Sequence, residues 1–156
     1  MAQDAYTLPQ LSKALEVQYR TLHSWVERGL LEPRLQRSSG TGTRNLFSNE
    51  DALTACILVD LRQAGVKFEL LQQAADRLRE NDEALRREAF LLVNGDVKIV
   101  FQAHEAATAL LRGGLTLAYN TREALERLAR LRGDLAKANE VPAPSHVQTA
   151  LLRQAA

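Results

Sequence analysis

Residues 21–48 read TLHSWVERGLLEPRLQRSSGTGTRNLFS. The stretch opens in a helical pattern and closes on a helix start. Between them lies the loop Arg34–Arg44, with three arginines and no acid. Place Gln18 at the origin of a wheel advancing about 100° per residue. Leu22, Trp25 and Val26 then gather on one side, which must face a core, and Arg20, His23, Ser24 and Glu27 gather on the other. The outward face offers a guanidinium, an imidazole and a hydroxyl near the helix's N-terminal half, where backbone dipoles favour anions. A DNA major groove asks for such groups: Arg pairs with guanine acceptors or a phosphate, while Ser and Tyr19 suit phosphate oxygens. A solvated helix face is the commoner use of such a pattern, and the loop argues against it. Arg34, Arg37 and Arg44 lie within a few residues of the helix, and Gly40 and Gly42 let the backbone approach a phosphate closely.

The flanks supply the rest of a helix-turn-helix. Thr7 with Gln10 reads as a capping box, and Leu8 and Pro9 open the first turn. Leu8, Leu11, Ala14 and Leu15 recur at helical spacing, and this helix is expected to stop around Glu16–Val17. The second helix runs from about Gln18 to Arg28 and ends at Gly29, which tolerates the left-handed conformation of a helix C-terminus. A tight connection between two short helices makes the motif, and the basic loop after it makes a winged helix. Arg44 to Phe47 is expected to return as a short strand. Ser48 with Asp51 caps a third helix whose Leu53, Ile57, Leu61 and Ala64 form one stripe, ended by Gly65. A fourth helix carries Phe68, Leu71, Ala75 and Leu78 on one face. The charged run RLRENDEALRRE (77–88) extends it or links it to the second half of the chain, as a solvated surface.

The second half changes character. FLLVNGDVKIVF (90–101) is a β-hairpin pattern around Asn94-Gly95-Asp96. Ala103 to Arg112 reads as a helix broken by Gly113-Gly114, LTLAY (115–119) as a strand, and Thr121 to about Ala138 as a last helix. FQAHEAATALLR aligns with YNTREALERLAR after a shift of eighteen residues, a hint of a repeated strand–helix unit. Ala124, Leu128, Leu131 and Leu135 keep a spacing that covers a core or seals a dimer, with covering the expected use. The fold class is therefore mainly α with small β. A winged helix-turn-helix over 1–82 precedes a small α+β domain over 88–138, and a proline-punctuated flexible tail covers 139–156.

Composition sets the outer limits. A chain of 156 residues, 46% apolar and 25% charged, suits one domain or two small ones. A net charge of +1 means that an anionic partner must be held by a local patch. The single cysteine, Cys56, excludes an internal disulfide and a multi-thiolate metal site, and its place on the third helix's stripe makes it a core residue. His23, His104 and His146 have no ligand spacing, so neither metal nor cofactor is expected. Ser38-Ser39 lack a placed base, and SSGTGTR does not lead from a strand into a helix as a phosphate loop does. No enzyme is expected. No run reaches membrane-spanning length and MAQDAYTLPQ lacks signal-peptide regions, so the cytoplasm is the expected location.

Residues 6 to 80 resemble the DNA-binding domain of the MerR family of bacterial transcription regulators. Tyr6-Thr7, Val17, Thr21-Leu22, Trp25, Gly29-Leu30-Leu31 with Pro33, Arg44, Phe47-Ser48, Leu61-Arg62 and Gly65 carry the likeness. The resemblance implies DNA contacts from Tyr19, Arg20, Thr21, His23 and Ser24 on the helix and from Arg34, Arg37 and Arg44 on the wing. Gln18 and Thr43 complete the candidate set. His23-Ser24-Trp25 stands where the family usually has Arg-Tyr-Tyr, so an imidazole replaces a permanent charge and phosphate clamping there is expected to be weaker. Family members usually dimerise through a long antiparallel helix after the fourth, and no uninterrupted run of that length is present. The implied partners are double-stranded DNA and a second copy of the chain. The alternative is an antitoxin that binds its own promoter and masks a toxin through residues 88–156. A pure interaction adaptor is a third reading.

Overall fold

The computed structural model describes residues 5–40, 42–114 and 117–139, with side chains as far as Asp134. The expected tail, the first two residues of LTLAY and the side chain of Leu135 lie outside the described residues. The chain runs β1 (Tyr6–Thr7), α1 (Leu8–Leu15), α2 (Tyr19–Glu27), β2 (Leu46–Phe47), α3 (Asn49–Gln63) and α4 (Phe68–Arg79). A 3-10 turn (Asp82–Leu85) leads to β3 (Phe90–Val93), β4 (Val97–Val100), α5 (Ala103–Arg112), β5 (Leu117–Asn120) and α6 (Arg122–Asn139). This is a mainly helical fold with two small antiparallel sheets.

Both expected capping boxes form. The Thr7 hydroxyl accepts from the Gln10 backbone N–H at 3.3 Å while the Gln10 side chain accepts from the Thr7 N–H at 2.9 Å. Ser48 and Asp51 do the same at the start of α3. The helix-turn-helix connection turns on Glu16, a non-glycine residue in the left-handed region at φ 53°. The helix thus stops where it was expected to, although no glycine marks the place. β1 was silent in the sequence: its two residues pair with β2, Tyr6 opposite Phe47 and Thr7 opposite Leu46. The returning strand is thus shorter than Arg44 to Phe47; it pairs with β1 and also bridges back to the loop at Gln36.

α3 departs from the single-stripe expectation. Asp51 through Val59 and Leu61 are all buried, whereas Ala64 is an exposed cap. A helix apolar around its circumference belongs at the centre of a fold, and α1, α4, α6 and the 3-10 turn surround this one. The charged run 77–88 also departs from a plain solvated face. α4 stops at Arg79, the Asn81 side chain accepts from the Ala84 N–H at 3.3 Å, and Ala84 and Leu85 are buried.

The C-terminal sheet has the order β4-β3-β5, with β3 antiparallel to both neighbours. Asn94 N–H donates to the Asp96 carbonyl at 3.1 Å and Gly95 takes φ 116°, which closes the hairpin. Strand β4 leads into α5 and strand β5 into α6, one strand–helix unit on each side of β3. α6 lies along α3, with Ala124 and Leu128 buried and Leu125 and Leu131 packed against the same cluster. Tyr119 donates to Asp60 Oδ2 at 2.5 Å, and Arg127 pairs with Asp60 Oδ1 at 3.2 Å. Burial and that donated bond push the Tyr119 phenol upward, so it remains a donor. All the buried apolar residues except Leu92 and Ala106 form one contiguous cluster from Tyr6 to Leu128.

The basic loop is rooted in this core by one carboxylate. Asp51, only 5% exposed, accepts from Arg34 Nε at 2.6 Å and from the Arg34 backbone N–H at 3.2 Å. Its Oδ2 also accepts from the Ser48 N–H at 2.9 Å. On the other side of the loop, Leu46 N–H donates to Gln36 O at 2.8 Å and Gln36 Nε2 to Arg44 O at 2.9 Å. At the tip, the Thr43 hydroxyl donates to Gly40 O at 2.9 Å and accepts from the Ser39 N–H at 2.8 Å. Ser38 N–H donates to Asn45 Oδ1 at 2.7 Å.

Because the core is continuous, urea unfolding should show one cooperative transition by far-UV circular dichroism and Trp25 fluorescence alike. Leu58→Ala should lower its free energy by about 2–5 kcal/mol. Two separated transitions would contradict a shared core. Burial pushes the Cys56 thiol up to about 12, so the native protein should resist iodoacetamide at about pH 8 and react only once unfolded. Arg34→Ala strands the Asp51 carboxylate and should cost about 1–3 kcal/mol, whereas Arg37→Ala should stay within about 0.5 kcal/mol. Thermal melts compare the two.

Candidate nucleic-acid interface

α2 presents the two faces that its sequence dictates. Leu22 and Trp25 are buried, and Val26 is partly so. Gln18, Tyr19, Arg20 and His23 are exposed, with Thr21 and Ser24 half-buried. No side chain caps the helix start, since Gln18 makes no capping hydrogen bond. The Thr21 N–H bonds the Gln18 carbonyl at 3.0 Å, which leaves the N–H groups of Tyr19 and Arg20 as the uncapped start of the helix dipole. Tyr19 and His23, one turn apart, stack with ring centroids 5.8 Å apart at 25°. His23 Nδ1 lies 3.7 Å from the Glu27 carboxylate.

The loop folds back towards this helix. Between them is a cleft of about 460 Å³. Tyr19 and His23 form its α2 wall, and Ser38, Thr43, Arg44 and Asn45 its loop wall. Thr7, Leu8 and Pro9, at the start of α1, close one end. Among the described residues that line it there is no carboxylate, and Arg44 brings the one permanent positive charge. The cleft mixes polar and apolar groups and opens to solvent.

The candidate residues fall into three groups. Tyr19, His23, Thr43 and Arg44 meet at the cleft. Gln18, Arg20 and Arg37 are exposed outside its lining, with Thr21 and Ser24 half-buried on α2. Arg34 is committed through Nε to Asp51, so its first role is to anchor the loop. Thr43 likewise uses its hydroxyl to hold the loop tip. Sequence reasoning missed Thr7, Leu8, Pro9, Ser38 and Asn45 as lining residues. The Thr7 capping box carried a signal, because it marks a helix start whose N–H groups must face something. Ser38 and Asn45 carried only the general turn preference of short polar side chains.

Similarity to known proteins agrees with this geometry. Residues 6–78 match the family described as MerR HTH family regulatory protein. Uncharacterised HTH-type transcriptional regulators of Mycobacterium bovis and of Mycobacterium tuberculosis are each 26% identical over 109 residues. The match covers 70% of this chain and 48% of theirs, so the chain spans about half the length of these curated relatives. The matched residues run from β1 to the last turn of α4 and enclose the whole cleft. Residues 6–78, just under half of the chain, thus match the helix-turn-helix module of the MerR regulatory family.

Proposed function

We propose that this protein is a sequence-specific double-stranded DNA-binding transcription regulator acting at a promoter in the cytoplasm. The observation that carries the reading is the convergence of an outward helix face and a basic loop on one carboxylate-free cleft. α2 enters the major groove, where Arg20 and Ser24 approach base edges and Tyr19 and His23 approach the sugar–phosphate strand. The loop acts as a wing, with Arg44 and Arg37 on the flanking phosphates and Arg34 holding its root. Gln18 and Thr21 lie at the helix start, where backbone N–H groups favour a phosphate.

Two copies bind together in this reading. A nine-residue helix and one loop cover little duplex, and two half-sites about one helical turn apart multiply weak contacts into useful affinity. The second half of the chain sets that oligomeric state or receives a signal.

A gel shift on the DNA upstream of the protein's own coding sequence, run as a salt series, tests the reading. The logarithm of affinity should fall linearly with the logarithm of salt, and a flat response would refute phosphate clamping. Arg44→Ala should weaken operator and random DNA equally and reduce the salt slope by about one. Arg20→Ala should also change the preferred sequence, at a cost of about 1–3 kcal/mol on the operator. Equal losses on both DNAs for both variants would contradict this division between positioning and reading.

A further inference from the structure

We infer that α4 sets the tilt of the recognition helix, with Arg79 as the positioning residue that grips its exit. The inference rests on the DNA-binding reading and adds a specificity determinant outside the cleft. Arg79 stands on the last turn of α4, with a side chain 19% exposed. Its Nη1 donates to the carbonyls of Gly29 and Leu30, at 3.4 and 3.3 Å, directly beyond the end of α2. Its Nη2 donates to Asp76 at 2.5 Å, and the Glu32 carboxylate lies 3.9 Å from Nη1. Two carbonyls and two carboxylates therefore surround one guanidinium. Its charge is locally matched, and it does not line the cleft.

A second contact grips the same exit from the other end of α4. Arg28, the C-terminal cap of α2, places its guanidinium 3.5 Å from the centroid of the Phe68 ring, at the first residue of α4. Arg28 reaches from α2 to α4, and Arg79 reaches from α4 to the exit of α2. α4 is itself tied to the second half, because Arg77 Nε donates to the Val97 carbonyl of β4 at 3.3 Å. The position of the C-terminal sheet is thereby passed to the recognition helix.

The two kinds of DNA contact tolerate displacement differently. Base-edge hydrogen bonds require a donor within a few tenths of an ångström and a narrow range of angles. Phosphate contacts from long arginines on a loop adjust to small shifts. α2 packs along α1 and seats Leu22 and Trp25 in the core, while Arg79 and Phe68 fix its C-terminal end; Arg20 and His23 lie on its N-terminal half, with Ser24 just past the middle. Loosening the grip swings those side chains while leaving the loop in place. Discrimination between sequences is lost before general affinity.

The experiment uses the full chain and two duplexes of equal length, one selected from a random-sequence library by the wild-type protein and one random. Fluorescence anisotropy gives both affinities for Arg79→Lys, Arg79→Gln and Phe68→Leu, each checked as folded by circular dichroism at the assay temperature. Arg79→Gln and Phe68→Leu should lower the selected-to-random ratio roughly tenfold, about the discrimination of one base contact. Arg79→Lys keeps the charge and one donor and should retain part of the ratio. Affinity for random DNA and the salt slope should not move. An unchanged ratio in the folded variants, or parallel losses on both duplexes, overturns the inference and leaves the DNA-binding reading intact. Failure of the wild type to enrich any sequence removes that reading and this inference with it.

Discussion

The hydrogen bonds of the Asp51 carboxylate are the constraint on which the arrangement of the interface depends. One buried group completes the cap of α3 at Ser48 and holds Arg34 through both its backbone N–H and its guanidinium. α3 is the most enclosed helix among the described residues, so whatever is attached to its start inherits the rigidity of the core. The basic loop is attached there. That tie fixes the start of the loop against the core, while the bonds between Gln36 and Leu46 fix its return. The ion pair is worth less as a source of stability than as a register mark, since desolvating both partners offsets much of their attraction.

The same logic operates between the two halves of the chain. Asp60, on α3, receives Tyr119 from β5 and Arg127 from α6. Arg77 and Arg79, two residues apart on α4, reach in different directions to β4 and to the exit of α2. Charged side chains that look like ordinary helix surface in sequence are here the fasteners between elements. Each satisfies backbone carbonyls or a carboxylate that burial would otherwise leave without water, which is why the interior accepts them.

The loop shows how a low-propensity segment acquires a shape. Its order comes from short polar side chains bonding the backbone, with Thr43 bridging Gly40 and Ser39, Asn45 receiving Ser38, and Gln36 reaching Arg44. Such bonds are weak singly and are exposed to solvent. Together they define a preferred conformation for the loop.

Local chemistry made much of this protein legible from its residues alone. Capping boxes at Thr7 and Ser48, the stops at Gly29 and Gly65, the hairpin at Asn94-Gly95 and the apolar periodicity of α1, α2 and α4 all depend on neighbours within a few positions. Periodicity also separated the buried Leu22 and Trp25 from the exposed Arg20 and His23. Tertiary structure alone decided what lies far apart in sequence. It paired Tyr6 with Phe47, buried every face of α3, drew the start of α1 into the cleft, and turned Arg34 inward while Arg44 stayed at the cleft. Three arginines in one loop are chemically alike, and only their distance from Asp51 separates the anchor from the other two. That distance is a property of the folded core, set by burial and by the hydrogen bonds that burial demands.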